Sequence, residues 1–155
     1  RFRPMAEKGE PTYTAPVAML NALDEALTMI GEEGLDATLA RHLRLNRALT
    51  AGLEALGFSV FPTGTPSPTL VVVKTPDGVS APALIAHLAD RYNCMIAGTR
   101  FEKLRDRLVR IGTMGWVDDA DILLDLEQIT AALNGLGGKA DKEHALAAAK
   151  AVFAR

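Results

Sequence analysis

Apolar residues recur along the first third of the chain at the spacing of an α-helix. Val17, Leu20, Leu23, Leu27 and Ile30 follow one another at intervals of three and four, which places them on one face. Thr14-Ala15-Pro16 marks the start of this helix, with Thr14 as a capping hydroxyl and Pro16 in the first turn, where a missing N–H costs nothing. Gly31 and Gly34 close or kink it. A second helix is expected from about Leu35 to Leu56. Its stripe is Leu39, Leu43, Ala48, Leu49, Leu53 and Leu56, its outer face carries Arg41, Arg44, Arg47 and Glu54, and Gly57 stops it. Ahead of both helices, residues 1–14 carry Pro4, Gly9 and Pro11 and read as an irregular lead-in.

Beyond Gly57 the pattern shortens. Phe58–Phe61 reads as a short strand, and Thr69–Thr75, β-branched and bounded by prolines, as a longer one. Ser80 caps an expected helix to about Tyr92, with Leu84, Ile85 and Leu88 inward. Cys94–Ala97 reads as a short strand, Gly98–Asp106 as a charged loop, and Leu108–Ile111 as another strand ending at Gly112-Thr113-Met114-Gly115. Asp118 caps a further helix whose face is Ile122, Leu126, Ile129 and Leu133. Gly135, Gly137 and Gly138 form a link to a last, alanine-rich helix over about Asp141–Ala154. This order predicts the α+β class: a small, short sheet covered by helices.

The 155 residues are enough for one domain with a real core. Hydrophobic residues make up 48% and charged residues 23%, ordinary values for a globular protein, and the formal net charge of -2 provides no electrostatic case for nucleic acid or membrane as partner. No apolar run approaches the roughly 20 residues needed to cross a bilayer, and residues 1–13 hold no apolar stretch of a signal peptide. One cysteine, Cys94, excludes an internal disulfide and a cysteine-based zinc cluster. The expectation is a cytoplasmic protein. The chain begins with Arg1 rather than Met, which suggests part of a longer product.

No P-loop, GxSxG or HExxH motif is present. His42, His87 and His144 sit on expected helices without a second metal ligand at i+4, so each reads as a partly exposed helix histidine and no metal site is expected. Cys94 reads as a small buried hydrophobe. Two places stand out. In Val109-Arg110-Ile111-Gly112, strand alternation puts Arg110 on the face opposite its apolar neighbours, beside a glycine that lets a ligand approach. A guanidinium there can bind a carboxylate through two parallel hydrogen bonds; the plainer alternative is an ordinary strand-end ion pair. In Thr12-Tyr13-Thr14-Ala15-Pro16, hydroxyls precede a helix N-terminus, which suits an anion; the plainer alternative is a helix cap.

Several segments, in order, resemble one family. Thr14-Ala15-Pro16-Val17 is followed by Glu32-Glu33-Gly34-Leu35. Then come Arg41-His42, Leu45, Ala48-Leu49, Gly52-Leu53 and Ala55-Leu56-Gly57. Ser67-Pro68-Thr69, Ile96-Ala97-Gly98 and Arg110-Ile111-Gly112-Thr113-Met114-Gly115 complete the set. Over roughly residues 10–135 this is similar to the C-terminal third of class V aminotransferases of the alanine–glyoxylate and serine–pyruvate (serine–glyoxylate) type. Each motif is weak by itself; their order and spacing together are specific. Thr99 departs from the family, which has a second glycine there, and residues 136–155 have no counterpart.

The resemblance implies the small C-terminal domain of a fold type I enzyme dependent on pyridoxal 5'-phosphate (PLP), preceded by the interdomain helix. Residues 1–34 would be the tail of the large PLP-binding domain, 35–137 the small domain and 138–155 an extra helix. It implies a homodimer, with Arg110 binding the substrate α-carboxylate and Thr14 contacting the PLP phosphate of the other subunit. The implied reaction moves an amino group from alanine or serine to a 2-oxo acid such as glyoxylate or pyruvate. The family's Schiff-base lysine lies upstream, and Lys8, Lys74, Lys103, Lys139, Lys142 and Lys150 all lack its context. This chain alone is therefore expected to be inactive without the missing N-terminal large domain. The alternatives are a cysteine desulfurase of the same superfamily, a non-catalytic α+β binding or interaction module, and a plain structural domain.

Overall fold

The computed structural model describes residues 2–154. They form two compact units, which divide between Leu39 and Ala40.

The first unit holds helix α1 (Phe2–Glu7), helix α2 (Val17–Glu33) and the first turn of helix α3 (Leu35–Ala55). The expected irregular lead-in is in part helical. Pro4 falls in the first turn of α1, where its absent N–H had no intrahelical partner to lose. Helix α2 spans the segment that the apolar spacing indicated, yet it buries none of its residues. At its end Gly34 takes φ +88°, a conformation that suits glycine, and its N–H donates to the Ile30 carbonyl. Thr38 Oγ1 donates to Glu33 Oε2 at 2.7 Å and ties the start of α3 to the end of α2.

The second unit contains the rest of α3, strands β1 (Ser59–Val60), β2 (Leu70–Lys74) and β3 (Leu108–Gly112), and helices α4 (Ala81–Tyr92), α5 (Asp119–Gly135) and α6 (Lys142–Phe153). The strands form an antiparallel sheet in the order β1-β2-β3. In the β2–β3 register Val71 faces Ile111 and Val73 faces Val109, and all four are buried. They join one core with Leu45, Leu49 and Leu53 of α3, Leu84 and Leu88 of α4, Ile122, Leu126 and Ile129 of α5, and Ala145 and Ala149 of α6. On the opposite face Leu108 is buried, Leu70 and Val72 are half-buried, and Lys74, Arg110 and Gly112 are exposed. The α+β architecture expected from the element order is the one observed.

Local departures have physical causes. Leu39 and Leu43 of the α3 stripe are exposed, while Leu45 is fully buried in their place. Cys94–Ala97 is not a strand: only Ala97 bridges to Arg110, and the Cys94 N–H donates to the Leu88 carbonyl at the end of α4. Ser80 occupies the N-cap of α4, but its hydroxyl donates to Asp106 Oδ1 at 2.6 Å instead of capping the helix. Asp118 does cap α5, in a reciprocal capping box with Asp121. Among the described residues no helix is long and apolar enough to cross a membrane.

Candidate functional site

Arg110 stands in the middle of β3, opposite Val72 on one side. On the other side its N–H donates to the Ala97 carbonyl at 2.7 Å and its carbonyl accepts from the Ala97 N–H at 3.0 Å. Its neighbours Val109 and Ile111 point into the core, and Arg110 is exposed, as alternation requires. The guanidinium is anchored on one edge only: Nε donates to the Gly98 carbonyl at 2.8 Å. Nη1 and Nη2 have no partner among the described residues, and Arg110 makes no ion pair there. Among the described residues, then, the strand-end ion pair does not form. Gly112, two residues on and on the same face, has no atom within 4 Å of where a Cβ would lie. The result is a guanidinium tethered at Nε, with Nη1 and Nη2 open on the sheet face that also carries Gly112. This is the donor set that a carboxylate engages.

The turn after β3 is fastened from α3. Arg41 Nη1 donates to the Gly115 carbonyl at 3.1 Å and to the Val117 carbonyl at 2.9 Å. The Gly115 N–H in turn donates to His42 Nε2 at 3.1 Å. His42 is therefore buried and accepting, not the partly exposed helix histidine that its spacing suggested. A surface reading failed because the partner lies 73 residues away in sequence. Only the adjacency of Arg41-His42 and of Met114-Gly115 within the family-like motifs hinted at it. Between these ties Met114 and Trp116 project outward, 71% and 79% exposed.

Thr14 lies in the first unit and Arg110 in the second. Thr14 is exposed, and it does not cap α2: the N-cap position is Pro16, with no side-chain hydrogen bond. Pro16 has no N–H to offer, and the Val17 and Met19 N–H groups donate to the Ala15 and Pro16 carbonyls. The helix start thus presents fewer open donors than its sequence suggested, and Thr14 is exposed there together with Tyr13.

Cys94 is half-buried rather than buried. Burial, and after it the nearby Asp125 carboxylate, raise its thiol above the usual range. Asp125 is itself pushed up to about 6, by burial first and by Asp121 second. A nucleophilic cysteine needs the opposite environment, one that stabilises thiolate. His87 packs near Tyr92 with ring centroids 6.2 Å apart, and His144 is exposed on α6. No group of residues able to hold a metal occurs among the described residues. Lys8, Lys74, Lys103, Lys139, Lys142 and Lys150 are all exposed, and the Lys74 ammonium lies over the Phe61 ring at 5.8 Å. None has the desolvated setting that makes a lysine amine nucleophilic. Among the described residues, then, Arg110 offers open N–H donors and no lysine offers a desolvated amine.

An exposed arginine with open Nη atoms stands on a small antiparallel sheet packed with helices, and similarity to known proteins identifies the family. The chain is 34% identical to an uncharacterised aminotransferase of Methanocaldococcus jannaschii over 95% of its own length. It is 37% identical to the pyridoxamine–pyruvate transaminase of Mesorhizobium japonicum over 91%, and 32% identical to a soluble hydrogenase small subunit of a Synechococcus strain over 88%. It spans 38%, 36% and 35% of those relatives. The crystal structure of pyridoxamine–pyruvate aminotransferase from Mesorhizobium loti superposes with a TM-score of 0.83 at 34% identity, covering 94% of this chain and 38% of that one. Ureidoglycine–glyoxylate aminotransferase from Bacillus subtilis gives 0.81 at 30% identity, covering 88% and 36%. No family profile matches the chain. The chain belongs to the class V, fold type I family of PLP-dependent aminotransferases and corresponds to their C-terminal part.

Proposed function

We propose that this segment supplies the substrate-carboxylate half of a PLP-dependent aminotransferase that moves an amino group from a small amino acid, alanine or serine, to a 2-oxo acid such as glyoxylate or pyruvate. The observation that carries this reading is the Arg110 guanidinium, fixed through Nε by Gly98 and open at both Nη atoms beside Gly112. PLP, when bound, supplies the electron sink for the chemistry at the α-carbon. Arg110 orients both the amino donor and the oxo acceptor by the carboxylate they share. Thr14 is assigned the PLP phosphate of the other subunit in a homodimer, in keeping with its accessible hydroxyl.

In this reading residues 1–34 complete the large cofactor domain and 35–137 form the small domain, all in a cytoplasmic enzyme. Residues 138–155, expected to be an extra helix without counterpart, instead belong with the small domain, since relatives match up to 95% of the chain and Ala145 and Ala149 are buried in its core. The cofactor-linked lysine comes from upstream, so this chain is inactive by itself. The desulfurase alternative is disfavoured by Cys94, whose thiol is pushed toward the protonated state.

The test is Arg110→Lys in the complete protein. Lysine keeps the charge but loses the fork, so KM for L-alanine and for glyoxylate should rise about 10- to 100-fold with a smaller change in kcat. An unchanged KM for both would overturn the assignment.

A further inference from the structure

The turn that follows the Arg110 strand is poorly constrained by its own sequence. Residues 112–117 include Gly112 and Gly115, and Gly115 sits at φ +102°. Thr113 at its start is fully buried and Val117 at its end packs against the core, but between them Met114 and Trp116 are exposed and add no core packing to hold the middle of the turn. Two consecutive residues of α3 hold it instead. Arg41 takes the carbonyls of Gly115 and Val117, and His42 takes the Gly115 N–H. Both backbone groups of one glycine are thus gripped from one helix turn.

β3 itself is held along its length by β2. On its outer edge, among the described residues, backbone pairing holds it at Arg110, through Ala97. Its exit, where Gly112 pairs with Leu70 and the Thr113 N–H reaches the Thr69 carbonyl, leads directly into the gripped turn. Slack in that turn would reach a strand whose outer-edge backbone pairing lies at the arginine.

We propose that Arg41 and His42 are positioning residues: a two-residue latch that fixes the turn 112–117 and, through β3, the orientation of the Arg110 guanidinium. His42 acts as a hydrogen-bond acceptor, so its Nε2 carries no proton and its Nδ1 does. Arg41 acts as a double donor, which a lysine could not match geometrically. The inference rests on the reading of Arg110 as the carboxylate ligand.

The test uses the complete protein and two readouts: steady-state kinetics with L-alanine and glyoxylate, and amide hydrogen exchange over residues 112–117. His42→Leu keeps the bulk and removes the acceptor; His42→Gln restores an acceptor close to Nε2. Arg41→Met keeps the stem and removes both donors, and serves where His42→Leu fails to fold. His42→Leu and Arg41→Met should each raise KM for both substrates about tenfold, the size of effect one or two lost hydrogen bonds produce, with kcat within about twofold. Exchange over 112–117 should quicken while β2 stays protected, and His42→Gln should return both readouts most of the way. A raised KM in Arg110→Lys beside an unchanged KM in His42→Leu and Arg41→Met would overturn the latch alone. So would a His42→Gln variant no better than His42→Leu. An unchanged KM in Arg110→Lys would overturn the carboxylate reading beneath it.

Discussion

Gly52 of α3 lies so close to Leu126 of α5 that a Cβ built on it would overlap both δ-methyl groups of the leucine. Leu126 is fully buried, so it has no open space into which to turn. The glycine in the middle of a long helix is thus explained by helix-to-helix approach. Gly52→Ala should gain about 1 kcal/mol of helix propensity and lose about 1–3 kcal/mol to overpacking, leaving a net destabilisation of order 1 kcal/mol. A urea titration should show a lower midpoint at unchanged slope, and Leu126→Ala should cost less in the Gly52→Ala background than in the parent. A higher midpoint for Gly52→Ala would show that the two helices can move apart at little cost.

Asp125 makes stability depend on pH. Its folded-state value is raised to about 6 from the ordinary 3.8 by burial and by Asp121, so the folded protein holds this proton more tightly than the unfolded chain. The associated stability is fully present below the unfolded value and is lost as pH rises through about 6. Asp125→Asn should therefore melt higher than the parent at pH 8, by about 1 kcal/mol once partial exposure to water is allowed for, and the gap should close toward pH 4. Melting curves across that range check it; a gap that widens on acidification would reverse the assignment.

The lysines bear on whether the chain can carry the cofactor. All are exposed, and Lys74 is the one with an aromatic neighbour. Mixing the 155-residue chain with PLP, reducing with borohydride and weighing the intact product should give no stoichiometric adduct. One clean adduct mapped to Lys74 would mean that the chain holds the cofactor itself.

What the sequence determined by itself was whatever depends on neighbours along the chain. The three- and four-residue spacing located α2, α3, α4 and α5, the β-branched run placed β2, Asp118 marked the start of α5, and alternation in Val109-Arg110-Ile111 set the arginine outward. The family-like motifs single out Arg110. What only the tertiary structure decided depends on partners far apart. Spacing shows an apolar face but not whether anything covers it, and in this chain α2 buries none of its residues. A histidine on a helix looks like surface until a turn 73 residues away brings its N–H to Nε2. The Gly98 carbonyl that orients Arg110 belongs to a loop whose local residues encode no strand, and only the bridge at Ala97 brings it there. Hydrogen bonds of this kind are set by directions in space, and periodicity along a chain carries no record of them.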